Sequence, residues 1–336
     1  MKVFKKILKI FFWIVGAAIL LCAIVYFAYR PPTKIGWGIN YSPDFAKYLG
    51  FDARKLYVQM LDDLNPKYVR LMAYWEDLEF NQGKYDLPST DTKFILDESA
   101  KRGVKVILVL GHKQPRWPEC HHPAWFEKLS VLDQQKAILN MLETAVNYFK
   151  DFSSVEMWQI ENEPYFKYGP NCPVIASDLY KQEVALVKKL DNRPVIATDS
   201  GEKGLWLPLG YSGADVLGST LYRQVFRDKT QSYLTYPLPA FTYRIKAGAL
   251  RIFSRMNHVF GVELQAEPWF AGTVYSVPWE EQTKLMNPDI FYANIKYAAQ
   301  TGMDRQYLWG AEWWYWAKSH GHGEMWAAAK EFFAIN

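Results

Sequence analysis

The chain has 336 residues, of which 50% are hydrophobic and 17% aromatic. That is enough for a large core, and one α/β barrel domain of roughly 250–300 residues fits within it. The formal charge is only +4, part of it from Lys2, Lys5, Lys6 and Lys9, and no basic stripe elsewhere argues for nucleic acid as a partner.

Residues 7–29 read ILKIFFWIVGAAILLCAIVYFAY. After Lys9 about twenty residues pass without a charge, enough to cross about 30 Å of hydrocarbon. The preceding lysines put the N-terminus in the cytoplasm by the positive-inside rule, and the rest of the chain outside it. A cleaved signal peptide is the alternative. Its apolar region usually runs about 7–15 residues and ends in small residues, whereas Val25 to Tyr29 is bulky. An uncleaved, single-pass anchor in the cell membrane is therefore expected. The chain then divides into a basic stub with its anchor, residues 1–30, and one extracytoplasmic catalytic domain, residues 31–336. Cys22 is not in a lipoprotein site, because Leu21 stands where a small residue is wanted. The prolines of RPPTKI, residues 30–35, stop the membrane helix.

Short apolar strands then alternate with amphipathic helices. Strands are predicted at 35–40, 68–74, 104–111, 155–162, 194–200, 215–222, 259–265 and 306–313. Helices are predicted between most of them, among them 91–102, 131–150, 176–190 and 289–301. Eight strands with intervening helices predict a closed parallel (β/α)8 barrel rather than an open doubly wound sheet. No glycine-rich phosphate loop follows the first strand, which weakens a nucleotide-binding reading. The connection from the sixth to the seventh strand, 223–258, is long and holds a predicted helix near 240–255. Its Phe241, Tyr243, Arg244, Arg251, Phe253 and Arg255 either cover the barrel wall or lie on the membrane surface. Outside the cytoplasm disulfides persist. Cys120 and Cys172 fall in loops after neighbouring strands, and a bridge between them and two separate thiols are the two readings.

In such a barrel, active residues sit at the C-terminal ends of the strands. The second strand brings Arg70, the third His112, the fourth Glu161, Asn162 and Glu163. The sixth ends at Tyr222, the seventh gives Glu263, Gln265 and Glu267, and the eighth Trp309, Glu312 and Trp313. Carboxylates on the fourth and seventh strands, ringed by aromatic, amide and basic side chains, match what glycosidic bond cleavage needs. One acid protonates the leaving oxygen, and one carboxylate attacks or stabilises the cationic centre. Strand alternation points Gln159, Glu161 and Glu163 the same way, so it cannot choose between the two glutamates.

Asn162-Glu163-Pro164 resembles the end of the fourth strand in clan A glycoside hydrolases, TIM barrels whose acid/base and nucleophile glutamates end strands four and seven. Trp75-Glu76, Gln82-Gly83-Lys84-Tyr85-Asp86 and Asp91 are similar to a stretch of families 39 and 42. Gln114-Pro115-Arg116-Trp117 is similar to family 42 after strand three, and Gln159-Ile160-Glu161-Asn162-Glu163 to family 35. Family 5 belongs to the same group. The resemblance implies Glu163 as acid/base and Asn162 on the sugar 2-hydroxyl. Glu161 would be a deeper partner that raises the pKa of Glu163, or a salt bridge to Arg70. Glu263-Leu264-Gln265 is similar to the strand seven ending of family 42-like enzymes, which implies Glu263 as nucleophile, with Glu267 the other candidate. Tyr222 would orient Glu263.

The remaining expectations are weighed against plainer ones. Arg70, His112, Trp309 and Trp313 are expected to contact substrate, against a structural salt bridge, a satisfied loop histidine and buried core tryptophans. Asp199 reads better as a helix cap than as a sugar ligand. The histidines at 112, 121, 122, 320 and 322 show no standard ligand spacing, so no metal and no cofactor are expected. The expected activity is that of a retaining glycosidase, or a transglycosylase, on β-linked glycans. A carbohydrate-binding protein without turnover and a metal-dependent hydrolase are the rivals.

Overall fold

The computed structural model describes residues 2–29, 31–167 and 172–336. Ten strands follow one another along these residues. They are β1 (Gly36–Tyr41), β2 (Tyr68–Met72), β3 (Lys105–Leu110), β4 (Val155–Ile160), β5 (Val195–Asp199), β6 (Val216–Leu221), β7 (Gln224–Arg227), β8 (Ser232–Thr235), β9 (His258–Gln265) and β10 (Arg305–Trp309). All but β7 and β8 close into one parallel barrel, in the order β1-β2-β3-β4-β5-β6-β9-β10. β7 and β8 form a small antiparallel ribbon in the connection after β6. The strands are near-continuous apolar runs, such as KVILVL in β3, because helices cover the outside while side chains fill the inside.

The barrel interior is layered. Ile107, Met157, Ile196, Phe260, Val262 and Tyr307 form an apolar plug. Two residues further along β2 and β4 the layer turns polar, with Arg70 and Gln159 buried beside Asn40 of β1. The ladder between β9 and β10 shifts register between Gln306 and Leu308. Asn40 Nδ2 supplies a donor there, reaching the carbonyls of Val262, Tyr307 and Leu308 at 2.9, 3.2 and 3.3 Å.

Several predicted strands end early, and two of these bear on the site. β4 stops at Ile160 and β10 at Trp309. Gly310 follows β10 with φ +136°, and residues Ala311–Ser319 form a helix. Glu312, Trp313 and Trp314 therefore lie on a helix, not on the last strand.

Residues Phe4–Ala28 are long and apolar enough to cross a membrane. The helix is exposed along most of its length, but Val25 and Tyr29, one turn apart, are buried. They dock beside the helix Phe241–Phe253, where a Cβ added to Gly248 would collide with the Val25 carbonyl. Arg244 donates to Tyr26 OH and stacks 3.8 Å from its ring centre. Tyr29 OH donates to Asp304 at 3.4 Å. The Phe241–Phe253 helix buries Tyr243, Ala247 and Leu250 against the barrel, while Phe241 and Phe253 stay exposed. It covers the wall on one side and holds the N-terminal helix on the other.

Candidate active site

Arg70 organises the polar end of the barrel. Its Nη1 donates to Glu263 Oε1 at 2.8 Å and to Asn40 Oδ1 at 3.0 Å, its Nε to Gln159 Oε1 at 2.7 Å, and its Nη2 to Asn162 Oδ1 at 3.1 Å. A sealed guanidinium has to match both its charge and its fork of N–H groups. Glu263 takes a second bond on its other oxygen, from Tyr222 OH at 3.0 Å. Burial and the charges of Glu263 and Glu267 push the Tyr222 hydroxyl well above its usual range, so it stays a donor.

After Ile160 the chain leaves β4 with φ +59° at Glu161 and +43° at Glu163. These left-handed residues break the alternation that would have aligned the two glutamates. Glu161 turns to the loop after β3, where it accepts from His112 N at 3.1 Å and Lys113 N at 2.6 Å, with His112 Nδ1 at 3.3 Å. Gly111, at φ +135°, leaves the room; a Cβ there would come 2.6 Å from the Glu161 carboxyl carbon. This corrects the expected salt bridge to Arg70, which bonds other partners. The negative charges that bear most on Glu163 are those of Glu263, Glu119 and Asp199. His112 is likewise committed to Glu161, with its ring against Phe126 at 5.8 Å between centres.

Glu163 is buried, and its N–H donates to Thr198 Oγ1 at 2.8 Å. Burial, and then the charge of Glu263, hold its carboxyl well above the usual carboxylate range against the pull of Lys113. Glu163, just past β4, and Glu263 of β9 thus bear on one another electrostatically. The first is pushed toward its acid form, and the second is paired with a guanidinium and a phenol.

The hairpin after β3 adds residues the sequence did not announce. The Lys113 side chain is sealed, with Nζ donating to the carbonyls of Asn162 and Glu163 at 3.0 and 3.2 Å. Glu119 Oε2 accepts from Asn162 Nδ2 at 3.4 Å and lies 3.8 Å from Lys113 Nζ. Burial raises the Glu119 carboxyl to about 7, with Lys113 opposing and Glu263 adding. Cys120 and Cys172 form a disulfide with Cα atoms 5.4 Å apart. Only hairpin geometry brings Lys113 and Glu119 here, and no residue-spacing pattern carries that. Asn40 had a signal, since it stands near the end of the first predicted strand.

A second acidic pair lies beside the first. Arg116 Nη1 bonds Glu267 Oε1 at 2.5 Å, and Nη2 lies 3.6 Å from Glu312 Oε2. Its guanidinium stacks between Phe45 at 3.6 Å and Trp309 at 4.2 Å. Trp309 Nε1 donates to Glu267 Oε1 at 2.8 Å. Glu267 is therefore committed to Arg116 and Trp309. Trp313 is not brought to the carboxylates, which corrects its expected contact with substrate. It is buried against Trp279, with Nε1 bonded to Gln282 at 2.9 Å. Asp199 accepts from Ser200 N and Trp206 N at 2.8 and 3.0 Å, closing a turn.

Among solved structures the chain is similar to a GH5_18 protein from Bifidobacterium longum, with a TM-score of 0.57 and 12% identity, over 82% of this chain and 69% of that one. It is also similar to endo-glycoceramidase II from Rhodococcus sp., with a TM-score of 0.52 and 15% identity, over 83% and 75%. An exo-β-1,4-mannosidase from an Opitutaceae bacterium matches with a TM-score of 0.54 and 14% identity, over 84% of this chain but only 53% of that one. At such identities the likeness shows the fold, a (β/α)8 barrel of the form shared with these carbohydrate-active enzymes. No protein-family model and no curated protein matches the chain, so the likeness to families 39, 42 and 35 rests on the motifs alone.

Proposed function

We propose that the protein is a retaining glycoside hydrolase of β-linked glycans, with Glu163 as acid/base and Glu263 as nucleophile. The observation that carries this is the contrast in setting of the two carboxyls, Glu163 with its pKa pushed up by burial and like charge and Glu263 paired with the Arg70 guanidinium and bonded by Tyr222 OH. In the first step the Glu163 proton goes to the glycosidic oxygen as Glu263 attacks the anomeric carbon, giving a glycosyl ester and a free alcohol. In the second, Glu163 takes a proton from water as that water attacks the same carbon and releases Glu263. An acceptor sugar in place of water makes the same step a transglycosylation. Asn162 and Arg70 contribute substrate and nucleophile positioning, and Trp309 an aromatic wall.

The helix Phe4–Ala28 is, on this proposal, a retained single-pass anchor with the barrel, residues 31–336, on the extracytoplasmic side. Burial of Val25 and Tyr29 against the domain supports retention, and the Cys120–Cys172 disulfide suits an oxidising compartment. The test is a panel of aryl β-glycosides run with wild type, Glu163→Gln and Glu263→Gln, together with a 2-fluoro glycosyl fluoride and mass analysis of the labelled peptide. Turnover by wild type alone and a label on Glu263 are expected. A label on Glu267 would move the nucleophile, and no turnover or label with any sugar would leave carbohydrate binding without catalysis.

A further inference from the structure

The hairpin after β3 carries a carboxyl group that the two-glutamate mechanism does not use. Arg116 and Glu119 stand near its tip with φ +84° and +75°, a region that residues with side chains seldom occupy. The hairpin legs are tied by Gln114 N to Glu119 O at 2.8 Å and His121 N to His112 O at 2.7 Å. The next residue, Cys120, is bound to Cys172. Glu119 is thereby fixed beside Asn162. The Asn162 amide has one orientation, because its Oδ1 accepts from Arg70 Nη2 at 3.1 Å and Thr198 Oγ1 at 3.3 Å, which leaves Nδ2 for Glu119 Oε2.

Glu119, Glu163 and Glu263 bear on one another electrostatically, so they lie close together at this end of the barrel. Glu119 Oε1 has no hydrogen-bond partner among the described residues, and it is not among their sealed atoms lacking a partner. The neighbouring cations are committed. Arg70 is on Glu263, Lys113 on two backbone carbonyls and, at 3.8 Å, on Glu119 Oε2, and Arg116 on Glu267.

We propose that Glu119 is a substrate-binding carboxyl group of this site, which accepts a hydrogen bond from a sugar hydroxyl or ammonium beside Asn162 and turns away sugars carrying a carboxylate there. The inference rests on the glycosidase reading and deepens it to a substrate class, neutral or amino sugars rather than uronic acids. A donor on the sugar meets Glu119 Oε1, while a carboxylate there would lie against the Glu119 carboxyl group, whose nearby cation, Lys113, already serves it and two carbonyls.

The experiment compares p-nitrophenyl β-glucoside, β-glucosaminide and β-glucuronide with wild type, Glu119→Gln, Glu119→Asp and Glu119→Ala, each checked for folding by its melting curve. Binding of isofagomine is measured in parallel. Wild type is expected to prefer the first two glycosides. Glu119→Gln is expected to lower kcat/KM on them about tenfold or more, chiefly through KM, and to narrow the margin over the glucuronide. Fluoro-sugar labelling of Glu263 should persist, which a general collapse of the site would not allow. Folded Gln and Ala variants within about twofold of wild type, or a wild type that prefers the glucuronide, would overturn the proposal. If wild type cleaves none of the three, the hydrolase reading fails by itself. Isofagomine then decides: weaker binding to Glu119→Gln sustains the proposal, and equal or absent binding ends it.

Discussion

Arg70 Nη1 lies 2.8 Å from Glu263 Oε1, with the two side chains only 0% and 7% exposed. Removing one member of a buried pair strands the other, at a cost of about 3–5 kcal/mol. Arg70→Met should therefore lower the melting temperature and abolish turnover together. Tyr222→Phe removes one hydrogen bond to the same carboxylate. It should cost about tenfold in kcat with a stability change near 1 kcal/mol. Urea unfolding and steady-state kinetics on both variants separate the two effects.

Glu163 should report itself through pH and leaving group. Its raised pKa keeps the acid form present above the usual carboxylate range, so kcat/KM should hold there and fall as pH climbs past the folded value. Glu163→Gln should lose about 10²–10⁴-fold on glycosides with poor leaving groups, much less on dinitrophenyl glycosides. The basic limb should vanish with it. An unchanged profile would assign the proton to another group.

Glu312 gives a pH-dependent stability. Burial moves its carboxyl from 4.5 to about 7. Between those values the folded chain holds a proton that the unfolded chain releases, so stability falls as pH rises through the window and is flat above it. The loss is on the order of 3 kcal/mol. Glu312→Gln stays neutral throughout. Its melting temperature should gain on wild type from pH 5 to pH 8, as differential scanning calorimetry would show.

The Cys120–Cys172 bridge closes a separation of 52 residues. Chain entropy assigns such a loop about 4 kcal/mol. Cys172→Ser should lower the melting temperature by about 8 °C for a domain of this size. Dithiothreitol should do the same to wild type and nothing to the variant.

The N-terminal helix offers a fifth test. Gly248→Val puts side-chain atoms where the Val25 carbonyl lies. The variant should expose the Lys34–Ile35 bond to trypsin and release a barrel with wild-type kcat, whereas wild type should resist. Release from wild type at the same rate would mean that the contact does not hold.

The barrel was legible because parallel strands are buried on both sides and so read as apolar runs. Glu163, Glu263, Arg70 and Tyr222 stood out as candidates because strand ends point into the mouth of such a barrel. What misled was the assumption that a strand continues through its last polar residues. Two positive φ values after Ile160 sent Glu161 to the β3 loop, and Gly310 turned the segment with Trp313 into a helix. Lys113 and Glu119 were hidden because a hairpin sets their direction, and a hairpin has no period to read. The ribbon β7–β8 was hidden for the same reason.

The docking of Val25 and Tyr29 onto the domain has one more implication. With Phe4–Ala28 in a bilayer, the barrel is not a float on a leash but a fixture bolted to its post. Its mouth would keep one height and tilt above the lipid, and on the proposed glycosidase reading a glycan chain would have to be threaded to that spot rather than pursued.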